Sequence, residues 1–260
     1  MNTRWIRKYG AFARIGFAAT QAGPGELAAR VAFFLLILGV FSSLWRAVGH
    51  SDSATSATMV WYLAITEWVL LSAPMIQFEI EAEVRRGDVA YQIARPVSYV
   101  GAHVARAIGT LAVRAPVMLA TAIIGGRLFA GPLPPAATIA RAVALGAVAA
   151  VVMTTYHVAL GLLAFWLGDI APVYWIWQKL SFVLGGLLLP LTYYPAFVGR
   201  VAAFTPFPAL LTGPASFVLD RPYATPMAVC GMLALWLAMV SIGAGLVFRH
   251  AARTLQLNGG

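Results

Sequence analysis

The chain has 260 residues, of which 61% are hydrophobic and 10% charged, with a mean hydropathy of +0.81. Soluble globular domains are about 45–50% apolar and about 25% charged, so this composition excludes a soluble enzyme or binding module and specifies a polytopic membrane protein. The formal net charge is +9, but the basic residues flank apolar runs, which is the pattern that orients helices in a bilayer and not that of a nucleic-acid surface.

At roughly 20 residues per span, the length accommodates about six transmembrane helices in a single all-α domain. Residues 1–21 precede any span and lack the apolar core and cleavage site of a signal peptide. At about 100° per residue, Trp5, Ile6, Tyr9, Phe12, Ala13, Gly16 and Phe17 fall on one face and Arg4, Arg7, Lys8 and Arg14 on the other. The expected element is an N-terminal interfacial amphipathic helix lying on the membrane lipid.

Gly23-Pro24-Gly25 breaks that helix, and the first span covers about 26–48, with Arg30 placed to snorkel. A small polar loop, Gly49–Ala57, leads to a second span of about 58–77, with Glu67 near its middle and Pro74 near its exit. Ser98 is a fitting cap for a third span, about 98–126, which holds Arg106 near its start and Arg114-Ala115-Pro116 deeper in. The fourth, about 136–167, contains His157 and a small-residue seam, Ala142, Gly146 and Ala150, along which a neighbouring helix can approach closely. A fifth span of about 173–193 carries Lys179 near its start and Gly185-Gly186 in its middle. Residues 190–226 hold seven of the fifteen prolines yet stay apolar and aromatic, so 194–226 is expected to form short helices or a re-entrant segment at the outer interface. The last span, about 227–248, includes the single cysteine, Cys230, which excludes an intramolecular disulfide.

Counting Lys and Arg near the span ends places both termini and the 78–96 segment on the cytoplasmic side. The excess of arginine over lysine is the composition of a GC-rich bacterial genome, and the expected location is a bacterial cytoplasmic (inner) membrane.

Neither lysine is preceded by glycine, so a Gly-x-x-x-x-Gly-Lys-Ser/Thr phosphate loop is absent and the chain is not an ATPase by itself. His50, His103, His157 and His250 are scattered, and no spacing for metal or nucleophilic catalysis is present. No catalytic residue and no bound metal are expected.

Against this background Phe78–Pro96 stands out, with four of the nine acidic residues and three of the eighteen basic ones. Glu79, Glu81, Glu83, Arg85 and Arg86 supply charge before Gly87, and Asp88 is placed to cap a two-turn helix that Pro96 ends. The pattern reads as a helix, a bend and a second short helix, a docking element between spans 2 and 3. An ordinary charged loop with local ion pairs is the plainer alternative.

The run Glu83-Val-Arg85-Arg86-Gly87-Asp88-Val-Ala-Tyr91-Gln-Ile-Ala-Arg95-Pro96 resembles the signature after the second span of ATP-binding cassette type-2 exporter permeases, with Asp88 where many relatives have Thr. The spans, the interfacial helix and the proline-rich outer segment are similar as well. The resemblance implies a coupling helix in which Glu79, Glu83, Arg85, Arg86, Gly87, Asp88, Tyr91, Arg95 and Pro96 meet a cleft of a separate cytoplasmic nucleotide-binding subunit. It further implies a second permease subunit, identical or not, and ATP with Mg on the partner ATPase and not on this chain.

Charged groups at membrane depth are costly, so Glu67 and Arg114 either pair or face a wet cavity, their depths differing by roughly 8 Å at about 1.5 Å per residue. With His157 they are the candidates for a substrate path or an intramembrane ion pair. Apolar walls suit a hydrophobic or amphipathic cargo: a drug-like compound, a lipid or a glycan. The competing readings are a proton-coupled secondary carrier titrating Glu67 and His157, and an intramembrane enzyme.

Overall fold

The computed structural model describes residues 3–48, 53–93 and 96–258, and these form helices and turns with no strand. Helix α1 spans Thr3–Ala22; Gly23 interrupts it, and α2 resumes at Pro24 and runs to Val48. Proline suits this first-turn position because its missing N–H has no intrahelical partner there. Next come α3 (Ser53–Ser72), α4 (Ile76–Arg86) and α5 (Val89–Ile93). The long α6 (Tyr99–Phe129) begins as expected at Ser98, whose hydroxyl accepts a hydrogen bond from the Gly101 amide at 3.2 Å. It is followed by α7 (Ala136–Leu162), α8 (Ala164–Leu167) and α9 (Ala171–Leu184). The short helices α10 (Ala196–Ala202), α11 (Phe207–Leu210) and α12 (Thr212–Ala215) precede α13 (Pro226–Asn258).

Among the described residues five stretches are long and apolar enough to cross a membrane: Pro24–Ala47, Thr55–Arg86, Tyr99–Phe129, Ala136–Leu167 and Pro226–Arg253. The expected fifth span, 173–193, is not one continuous helix. Helix α9 has 14 residues, about 21 Å at about 1.5 Å per residue, short of a hydrocarbon core of about 30 Å. It stops at Gly185-Gly186, where Gly186 takes φ +64°, a left-handed turn that favours glycine. The irregular backbone beyond is held by side chains from other helices. Tyr62 Oη donates to Gly186 O at 2.6 Å, Thr66 Oγ1 to Leu187 O at 2.8 Å, and Thr212 Oγ1 to Gly185 O at 2.8 Å. Backbone released from a helix inside an apolar bundle needs such partners. The non-helical segment therefore starts at 185, nine residues before the expected 194.

The Thr55–Arg86 stretch is the centre of the bundle: 78% of its most apolar window is buried, against 17–39% for the other four. Trp61, Tyr62, Leu63, Trp68 and Val69 of α3 pack with Phe34, Leu38, Met118, Met153 and Leu210. Of the small-residue seam on α7, Gly146 receives the Trp68 ring, leaving no room for a Cβ.

The stretch bends where α3 gives way to α4, at Ala73–Met75. Pro74 has no N–H to offer, and its ring excludes the preceding turn's carbonyl. Side chains engage the carbonyls around the bend: Ser72 Oγ donates to Trp68 O (2.6 Å), Arg30 Nη1 to Leu71 O (3.5 Å) and His157 Nδ1 to Pro74 O (2.9 Å). Because a carbonyl only accepts, Nδ1 of His157 carries the hydrogen.

Helix α1, expected as an interfacial helix, packs lengthwise on the first half of α6, both running in the same direction: Tyr9 lies against Gly101, and Gly16 against Arg106 and Thr110. Ala13 and Gly16 face Gly109, and Thr110 Oγ1 donates to Gly16 O at 3.3 Å. Phe17 and the cations Arg7, Lys8 and Arg14 remain exposed, while the side chains of Arg4, Trp5 and Ile6 lie outside the described residues.

Candidate functional site

Gly87 closes α4 with φ +77°, and the amides of Gly87 and Asp88 bond back to Val84 O (3.1 Å) and Glu83 O (3.0 Å). This left-handed cap turns the chain sharply into α5. The expected helix, bend and short helix are therefore present, with α5 little more than one turn where two were expected. Asp88 does not cap it with its side chain: Oδ2 pairs with Arg86 Nε at 2.8 Å, and only its backbone carbonyl serves α5, accepting from Gln92 N.

The tip so formed has two faces. Outward stand Arg85, Arg86, Gly87, Ala90, Pro96 and Tyr91, the last 78% exposed. Inward, Val89 packs with Ile76, Ile80, Tyr99, Ala107, Val158, Leu162 and Ala244, and Tyr99 stacks on Phe248 with ring centres 4.9 Å apart. The tip is thereby held against α7, joined to α6 through Glu83, and shares a buried cluster with α13.

Polar groups reinforce this anchorage. Glu83 is buried, accepting from Tyr99 Oη at 3.0 Å, with His103 Nε2 also 3.0 Å away, so it faces α6 and not the surface. Glu79 pairs with Arg106 at 3.1 Å, and Glu81 with Arg85 at 3.2 Å. Arg95 lies outside the described residues. Of the nine expected docking residues, Arg85, Arg86, Gly87, Asp88, Tyr91 and Pro96 share the outer face; Glu79 is exposed while pairing with Arg106, and Glu83 is a buried attachment of the tip.

The expected intramembrane pair is also corrected. Arg114 meets Glu26 at 2.7 Å, at the start of α2, and not Glu67. Glu67 is buried in α3, and no ion pair engages it among the described residues. His157 bonds to Pro74, seven residues, or about 10 Å along a helix, past Glu67. The three candidates thus do not form one site. Glu26, Tyr99, His103 and Arg106 were not singled out from sequence. Glu26 looked like a span boundary, and the attraction of Tyr99 and His103 to Glu83 crosses 16 or more residues with no local spacing rule to reveal it.

The bond from His157 makes a direct prediction. His157→Leu leaves Pro74 O buried without a donor and is expected to lower stability by about 1–3 kcal/mol. Thermal unfolding of the purified chain in detergent checks this; equal midpoints would show the bond to be idle.

A bundle of helices long and apolar enough to cross a membrane, carrying a charged tip, defines a polytopic membrane protein. The sequence matches the ABC-2 family transporter protein model over residues 27–259, so the chain belongs to the ABC-2 transporter family, as a permease component. No curated protein matches it.

Proposed function

We propose that the chain is the membrane subunit of an ATP-driven exporter in a bacterial inner membrane, with both termini cytoplasmic. Its tip, Arg85–Tyr91, docks into a cleft of a separate ATPase subunit that binds ATP and Mg, and a second permease, identical or not, completes the transmembrane pathway. The observation that carries this reading is the two-faced tip: exposed cations and Tyr91 outside, and an underside held against α7, joined to α6 and clustered with α13. A push on the outer face is passed to three membrane helices, and packed cores shift between discrete arrangements instead of deforming smoothly. The chain's own residues receive and transmit this displacement; hydrolysis occurs on the partner. The cargo we favour is hydrophobic or amphipathic, in keeping with the apolar lining of the bundle.

Co-expression with a candidate ABC-type ATPase subunit is expected to give a complex that survives mild-detergent purification. Tyr91→Ala is expected to weaken that complex about tenfold or more, as for an exposed aromatic anchor at an interface, without changing the permease's own melting temperature. Transport that continues with ATP hydrolysis blocked would instead establish a secondary carrier.

A further inference from the structure

Between the end of α1, the start of α2, the α3–α4 bend and α6 lies a cavity of about 300 Å³, lined by Thr20, Glu26, Glu79, Arg106, Thr110 and Arg114 among others. Its charges do not balance. Arg30 and Arg114 converge on the same Glu26 oxygen, Oε1, at 3.0 and 2.7 Å, while Arg106 pairs with Glu79. Three guanidinium groups share two carboxylates, leaving one net positive charge. The Arg114 side chain is nine-tenths buried, and its Nη1 has no hydrogen-bond partner. A buried cation left short of acceptors is costly, and an anion in the adjacent cavity offsets part of that cost by charge attraction.

We infer that this cavity binds a phosphodiester group, one carrying a single negative charge, and that its source is a membrane lipid. One charge matches the excess, whereas the two carboxylates repel a dianion. Arginine's fork of N–H donors suits phosphate oxygens. Apolar surface for acyl chains lies beside it: Met75 lines the cavity and is exposed, and Ile15 and Phe17 are exposed on α1 within a turn of Ala19 and Thr20, which also line it.

The test is native mass spectrometry of the full chain in dodecyl maltoside, titrated with dioleoylphosphatidylglycerol. One saturable lipid is expected, with dioleoylglycerol, the same tails without phosphate, binding about tenfold or more weaker, as loss of charge-assisted hydrogen bonds requires. Arg114→Gln is expected to weaken binding by about tenfold, and Arg106→Gln, which leaves the Glu26 pair intact, by about threefold or more. Glu26→Gln raises the net cation and is expected to tighten binding, the reverse of what loss of a purely structural ion pair would do. These two variants decide the matter if Arg114→Gln does not fold. Displacement of the lipid by inorganic phosphate at equal concentration would support the anion site with a soluble source; retention supports the lipid. Equal binding of the two dioleoyl compounds, no saturable binding of either anion, or weaker binding by Glu26→Gln would overturn the inference.

Discussion

Replacing Gly87 by proline is expected to abolish co-purification of the partner ATPase and ATP-dependent transport while leaving the chain inserted in the membrane. Gly87 has φ +77°, and its N–H bonds to Val84 O at 3.1 Å. Proline fixes φ near about −65° and has no N–H, so the turn from α4 into α5 cannot form, at a cost of about 3 kcal/mol or more. That cost falls on the tip. The core clusters around α3 do not include Gly87, and a Cβ there meets open space. Gly87→Ala separates backbone strain from bulk: it keeps the N–H and has room, but a left-handed alanine costs about 1–2 kcal/mol, so docking should fall by about five- to thirtyfold. Arg86→Ala removes only an exposed pair with Asp88, and through that pair it should cost about 1 kcal/mol or less of tip stability. The order proline, alanine, wild type in ATPase recovery is the expected result. Full recovery with proline would place the docking surface elsewhere on the chain.

The tip was legible because its signals are local. A glycine that ends one helix and a proline that limits the next can be read from adjacent residues, and so could the caps at Ser98 and Pro24. The partners of its charges were not legible. Glu83 and Arg85 look equally available in sequence, but the two differ by a rotation of about 200° around α4, which puts one against Tyr99 and His103 and the other in solvent. Glu67 and Arg114 were matched by estimated depth, a measure blind to which way each helix faces. Glu26, beside α6 through the parallel course of α2, is nearer. The early end of the helix in the expected fifth span has a similar cause. Residues 173–193 are mostly apolar on both sides of Gly185-Gly186, so hydropathy cannot distinguish a continuous helix from one that stops there and is held by Tyr62, Thr66 and Thr212. The seam between α1 and α6 was half legible: Ala13 and Gly16 fall on one face, but that this face meets Gly109 and not lipid depends on the tertiary fold.

That seam gives the second large effect. In the wild type the backbones of α1 and α6 come so close at Gly109 that a Cβ there would run into the Ala13 carbonyl. Gly109→Leu must force the helices apart, and a backbone atom cannot rotate away as a side-chain tip can. Overpacking costs about 1–3 kcal/mol even where side chains can yield, so the upper end of that range is the expected floor here. Gly10→Leu, on α1, is the control. A Cβ at Gly10 meets nothing within 4 Å, and leucine's better helix propensity should stabilise α1 by up to about 1 kcal/mol. The two substitutions add the same side chain and are expected to act with opposite sign. Gly109→Leu should lower the melting temperature and open α1 to trypsin at Arg7, Lys8 and Arg14, all exposed cations on a helix that resists cleavage only while docked. Gly10→Leu should do neither. Because Arg106 both touches Gly16 and pairs with Glu79, releasing α1 also loosens an attachment of the tip, so ATPase recovery should fall in Gly109→Leu as well. Unchanged proteolysis and melting in that variant would mean that α1 does not rest on α6.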